Sequence, residues 1–328
     1  MPVRSAIATR MMHTRGFALW VCAIAFVGLI CFFLTGSHTP VAGDRGFALP
    51  SANEWLPAGG LSFACSMAAN AAIVITAAAM AKIHNILRSI TGLYMALFAV
   101  MQLATPQLTV QLYTGPLLAL AIAICLLLLF GVYRSERASG RVLLTFMSLS
   151  ALSATQYCYA VYIPAMLICC AQMRVLGGRT LVAATLGVLA PWWILFGLGI
   201  AEPSDLHLPD FARLFEAVDI GEQIWLFATA GLSASLLVLC LLLNAFKAIA
   251  YNARSRAVNG AIIVVALFTI LGAAADFSNT AAYIPLLNLC AAIQTAHYFA
   301  THRADRSWIA IAAICLAYTT LFLCQILI

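Results

Sequence analysis

Long runs of apolar residues alternate with short polar segments along the whole chain, and the pattern predicts helices that cross a bilayer. About 20 mostly apolar residues are needed to span the hydrocarbon core. Eleven runs stand out: Phe17 to Leu34, Leu61 to Lys82, Thr91 to Ala104, Gly115 to Tyr133, Val142 to Thr155, Tyr159 to Met173, Thr180 to Ile200, Ile224 to Phe246, Val258 to Ala274, Tyr283 to Ala300 and Trp308 to Leu327. The third, fifth and sixth runs are shorter than a full crossing requires, so they lean on neighbouring helices, extend into the loops or form re-entrant pairs. The expected fold class is an all-α polytopic transmembrane bundle of about eleven spans, a single integral-membrane domain over residues 1–328. Its longest outward loops are expected near 35–60 and 201–223.

Charge orients this pattern. With the N-terminus inside, fifteen of the seventeen Lys and Arg residues fall in cytoplasmic segments, and only Arg45 and Arg213 fall outside. Basic segments are retained on the cytoplasmic side. Nine of the eleven acidic residues then lie outside, with Glu136 and Asp305 the exceptions, and the C-terminus emerges outside as well. The first run follows Arg4, Arg10 and Arg15, as a secretory signal would. Its apolar stretch exceeds a signal h-region and no small-x-small cleavage site follows, so a retained span is expected.

Composition supports lipid as the solvent. Of 328 residues, 64% are hydrophobic and 9% charged, against roughly 45–50% and 25% in soluble domains. The net charge of +6 reads as an orientation signature, since no basic stripe with interleaved aromatics suggests nucleic acid as a partner. The eleven cysteines all fall in or beside apolar runs without a C-x-x-C pair, which points to small core residues and not to disulfides or a metal.

Six of the acidic residues cluster between Glu202 and Glu222. Within that segment Phe211, Leu214, Phe215 and Val218 recur at helical spacing, with Asp210, Arg213, Glu216 and Asp219 on the other faces. The pattern predicts an amphipathic helix on the outer surface, so topology accounts for the acid without catalysis.

The stretch from Leu117 to Leu198 contains the basic turn VYRSERASGR, the short span LLTFMSLSALSATQ, the aromatic junction YCYAVYIP, a second short span ending in QMRVLGGR, and TLVAATLGVLAPWW. It resembles an uncharacterised family of bacterial inner-membrane proteins of about this length, in which paired short helices precede a basic turn and a span broken by proline before aromatics. The resemblance reaches back over Asn70 to Tyr94, and it brings no established activity. The alternation of short spans also resembles, more loosely, the GT-C membrane glycosyltransferases. That resemblance implies an essential carboxylate in the first outward loop, which here makes Asp44 the first catalytic candidate and Glu54 the second. His38 and Arg45 would contact phosphate or sugar, and the substrate would be lipid-linked. The loop departs from the GT-C pattern in having no adjacent acidic pair.

Within the spans the polar residues are Asn70, Gln102, Gln156, Asn244, Asn288, Gln294 and His297, neutral or boundary groups, and Asp276 sits beside Asn279 at an outer helix end; each is expected as an interhelical hydrogen bond or a hydrated end. P-loop, zincin and nucleophile-elbow motifs are missing from the sequence, and no cofactor or metal is implied. The leading expectation is an envelope-associated inner-membrane protein without catalysis of its own, with the bilayer and other envelope membrane proteins as partners. A GT-C-like enzyme, and a transporter or flippase for an amphiphile, are the alternatives.

Overall fold

The computed structural model describes residues 14–36, 48–84, 91–206, 223–245, 252–301 and 307–327. Among these residues every regular element is a helix. The α-helices are α1 (Arg15–Thr35), α2 (Gly60–His84), α3 (Thr91–Leu103), the single turn α4 (Pro106–Thr109), α5 (Thr114–Phe130), α6 (Ser139–Ser153), α7 (Tyr162–Gln172), α8 (Gly178–Gly197), α9 (Ile224–Ala245), α10 (Ala253–Ala275), α11 (Thr280–Thr301) and α12 (Ser307–Leu327). Six of them, α1, α2, α8, α9, α10 and α12, are long and apolar enough to cross a membrane.

These six differ from α11 in what surrounds them. Their faces expose large apolar side chains, such as Trp20 on α1, Ile75 on α2, Trp193 on α8 and Leu316 on α12, as suits helices whose outer neighbour is lipid. In contrast, α11 is buried without interruption from Ala282 to Ala296. It packs against α3, α5, α9 and α10. Because its neighbours are helices, α11 can carry Asn288, Gln294 and Thr295 at buried positions, where each finds a partner on another helix.

Two starts are locally encoded. Thr14 caps α1 by accepting a 3.2 Å hydrogen bond from the Phe17 amide, and Asn252 caps α10 by accepting from the Ser255 amide at 2.8 Å, each satisfying an amide that the helix leaves free. Proline does not end α8, which continues through Pro191 to Gly197. The Ser150 hydroxyl donates at 2.6 Å to the neighbouring Val188 carbonyl, and Gly187 allows α6 to approach until a Cβ there would stand 2.7 Å from the Leu143 carbonyl oxygen.

The short helices are short because their connections lie inside the protein. With 13 residues in α3 and 11 in α7, their lengths are about 20 Å and 17 Å, against a hydrocarbon core of about 30 Å. The α3–α5 connection that follows α3 and the α6–α7 connection that precedes α7 are buried almost throughout. Non-helical backbone is tolerated at such depth where protein groups satisfy it.

Candidate functional site

Three helix junctions meet at one end of the bundle. The first joins α3 to α5 through α4, and side chains from neighbouring helices bind its free backbone groups. The Ala104 carbonyl accepts from Thr229 Oγ1 at 3.3 Å and from Gln325 Nε2 at 2.7 Å. Ser66 Oγ donates to the Thr109 carbonyl at 2.7 Å, and the Leu112 amide donates to Ser62 Oγ at 2.7 Å. Each of these bonds replaces one that regular helix would have made, since an unpaired backbone group away from water costs as much as a lost hydrogen bond.

The second junction, between α6 and α7, is held against the first by a segment from before α2. The Ala48 and Leu49 amides donate to the Ala154 carbonyl at 3.0 and 2.8 Å. Ser51 Oγ donates to Gln156 Oε1 at 3.3 Å. Thr114 at the start of α5 donates from its hydroxyl to the same Gln156 oxygen, and its amide donates to Asn53 Oδ1 at 3.0 Å. Ser51, Asn53, Thr114 and Gln156 thus tie together three segments that are distant in sequence.

The third junction lies between α10 and α11 and carries Asp276, which is 4% exposed. The Tyr157 hydroxyl donates to Asp276 Oδ2. Asn279 Nδ2 donates at 3.2 Å to both carboxylate oxygens and at 2.5 Å to the Tyr157 oxygen. Ser278 Oγ donates to Oδ1 at 3.0 Å. A buried carboxylate needs donors or a cation to replace its water. Here neutral donors supply them. Gly272 lets the Tyr283 ring close over this junction, because a Cβ there would stand 2.7 Å from Tyr283 Cε1.

A chain of side chains runs inward from the same region. Asn70 Oδ1 accepts from Gln102 Nε2 at 2.7 Å, and Gln102 Oε1 accepts from Asn288 Nδ2 at 3.0 Å. Ser233 Oγ donates to Asn288 Oδ1 at 2.7 Å and shares a 2.8 Å bond with the Tyr318 hydroxyl. Five helices, α2, α3, α11, α9 and α12, are joined in this way. A second chain links Asn244 Nδ2 to Gln294 Oε1 at 3.0 Å and Gln294 Nε2 to Asn259 Oδ1 at 3.2 Å.

Of the carboxylates that the sequence suggests, Glu54 lies exposed at the end of the 3-10 turn Ala52–Glu54. Its neighbour Asn53 makes the contact with Thr114 that pins this turn to the bundle. Asp44, His38 and Arg45 lie outside the described residues, as do Phe211, Leu214, Phe215 and Val218 of the amphipathic pattern. Of the two expectations for Asp276, the structure shows the interhelical hydrogen bond and not the hydrated end, since its side chain is buried under Tyr157 and Asn279. Its tyrosine partner is 119 residues away. The run of tyrosines in YCYAVYIP is the one signal in the sequence that a polar contact could form there. The eleven cysteines are free thiols, and among the described residues no three His, Cys, Asp or Glu side chains are grouped to hold a metal ion.

No family model, curated protein or solved structure matches this chain.

Proposed function

We propose that the chain is a multi-span component of a bacterial inner membrane whose role is architectural, associated with the envelope and its other membrane proteins, without catalysis of its own. Apart from the single turn α4, the described helices correspond one to one with the eleven apolar runs. That correspondence supports eleven crossings, and the basic bias supports an inward N-terminus and an outward C-terminus.

The observation that carries the architectural reading is the state of Asp276. A general base must have a lone pair within reach of the proton it removes. The Asp276 oxygens instead accept from Tyr157, Ser278 and Asn279, three donors drawn from two helix junctions. The carboxylate serves as a clasp between the α6–α7 and α10–α11 junctions. The Asn70 to Tyr318 chain joins five helices by the same means.

A second reading keeps Glu54. It is exposed and held on a turn that Asn53 fixes to Thr114, as a GT-C-like enzyme would hold a base toward a lipid-linked sugar at the outer face.

One experiment separates the two readings. A chromosomal Asp44→Asn, Glu54→Gln strain is compared with the deletion strain in every envelope phenotype that the deletion shows, with protein abundance measured in parallel. The architectural reading expects wild-type behaviour at normal abundance. Loss of function at normal abundance would replace it with the enzyme reading.

A further inference from the structure

At the opposite ends of α5, α6, α7 and α8 from these junctions, two turns carry five arginines. Arg134 and Arg137 lie in the α5–α6 turn, Arg141 in the first turn of α6, Arg174 in the α7–α8 turn and Arg179 in the first turn of α8. All five are exposed. The accompanying acid is the exposed Glu136. A basic bias alone would account for arginines scattered over such loops, but three features go further.

First, the two turns are bound to each other, since the Arg134 amide donates to the Met173 carbonyl at 3.0 Å. The charges are therefore held on one surface. Second, Arg134 and Arg174 both adopt left-handed backbone, at φ 55° and 57°. Non-glycine residues other than Asn and Asp seldom do so, and at Arg174 the 3.1 Å bond from the Val175 amide to the Cys170 carbonyl, which closes α7, imposes it. Third, Gly131 leaves room for the Arg141 guanidinium, because a Cβ at Gly131 would stand 2.0 Å from Arg141 Nη1. The Arg141 side chain thus folds back over the α5–α6 turn. Arg141 and Arg179 also sit in first helical turns, where a cation is opposed by the helix dipole and an anion is favoured. Like charges gathered against that field are stabilised by an anion between them, and guanidinium groups match phosphate oxygens in a bidentate manner.

We propose that these paired turns bind the phosphate of an anionic phospholipid headgroup. The proposal rests on the multi-span reading, which sets the turns at a bilayer surface where such headgroups lie. Inorganic phosphate shares the same chemistry and is the competing source.

The test uses the full chain reconstituted in nanodiscs of phosphatidylcholine containing a minority of phosphatidylglycerol, with lipid retention read by native mass spectrometry after gentle release. Both bilayer faces carry phosphatidylglycerol, so the result does not depend on orientation, and an error in the assigned topology would be scored separately. The variant Arg134→Gly, Arg174→Gly removes two charges while glycine keeps the left-handed turns without strain. Its thermal stability is expected to equal or exceed that of the parent, and its phosphatidylglycerol retention to fall about tenfold or more, as the loss of charge-assisted hydrogen bonds to the phosphate implies. The control Arg254→Gln, Arg256→Gln removes two charges from the start of α10 and is expected to retain phosphatidylglycerol as the parent does. Unchanged retention in the glycine variant would overturn the proposal, and so would an equal loss in the control, which would mean general attraction of basic loops. Binding of inorganic phosphate by the detergent-solubilised parent, lost in the glycine variant and without any phosphatidylglycerol retention, would overturn the lipid source and assign the site to soluble phosphate.

Discussion

Gln102 and Asn288 are 186 residues apart and share a 3.0 Å hydrogen bond between α3 and the buried helix α11. Asn288 is bonded on both sides, because it also accepts from Ser233, whereas Tyr318 ends the chain with one hydroxyl contact to Ser233. Within membranes an interhelical hydrogen bond contributes on average about 0.6 kcal/mol, but a buried group left without a partner costs roughly 1–3 kcal/mol. Asn288→Ala leaves the buried Gln102 Oε1 without its donor and removes the acceptor of Ser233, so it should cost about 1–3 kcal/mol, and Tyr318→Phe should cost about 0.6 kcal/mol. Unfolding titrations in mixed detergent and SDS micelles measure both, and equal costs would mean that the chain is not a connected unit.

Glycines at close approaches and glycines in open helix should respond in opposite directions. A Cβ at Gly187 would stand 2.7 Å from the Leu143 carbonyl oxygen and 3.0 Å from Phe146 Cβ, so Gly187→Ala must push α6 from α8 and should cost about 1–3 kcal/mol. Gly231 lies within α9, and a Cβ there would meet no atom within 4 Å, so Gly231→Ala should stabilise by about 0.4–1 kcal/mol. The same unfolding titration reads both signs.

The spans were more legible in the sequence than the contacts between them. The short runs Thr91 to Ala104, Val142 to Thr155 and Tyr159 to Met173 appear as α3 (Thr91–Leu103), α6 (Ser139–Ser153) and α7 (Tyr162–Gln172) within a few residues. Length and hydropathy are local properties, so a single chain displays them. What permits those helices to be short is not local. Ser62, Ser66, Thr229 and Gln325 serve the α3–α5 connection from three other helices, and in sequence each is an ordinary polar residue in an apolar run. Asp276 illustrates the same point. Its place at a helix end is visible from the pattern around it, but its burial follows from Tyr157, which arrives from a different junction.

Orientation can be tested with fewer substitutions than the cysteine count suggests. Cys125, Cys158, Cys169, Cys170, Cys240 and Cys290 are buried and should not react with a polar maleimide in the folded protein. Replacing the partly exposed Cys22, Cys31, Cys65, Cys315 and Cys324 should therefore give a silent background. In it, Ser204→Cys should label in intact cells, and Asn252→Cys only after permeabilisation, as the basic bias requires. Labelling of Asn252→Cys in intact cells would invert the assigned orientation.

On the proposed architectural role, the buried polar cluster at the three junctions holds the bundle together and performs no reaction. A double-mutant cycle with Tyr157→Phe and Asp276→Asn tests it most directly, with unfolding free energy and cellular function measured on the same four proteins and expression adjusted to equal abundance. A coupling of about 0.5–3 kcal/mol between the two residues is expected, with wild-type cellular function for each variant once abundance is matched. Absence of coupling, together with loss of function in Asp276→Asn at unchanged stability and abundance, would contradict it and make Asp276 a reacting group.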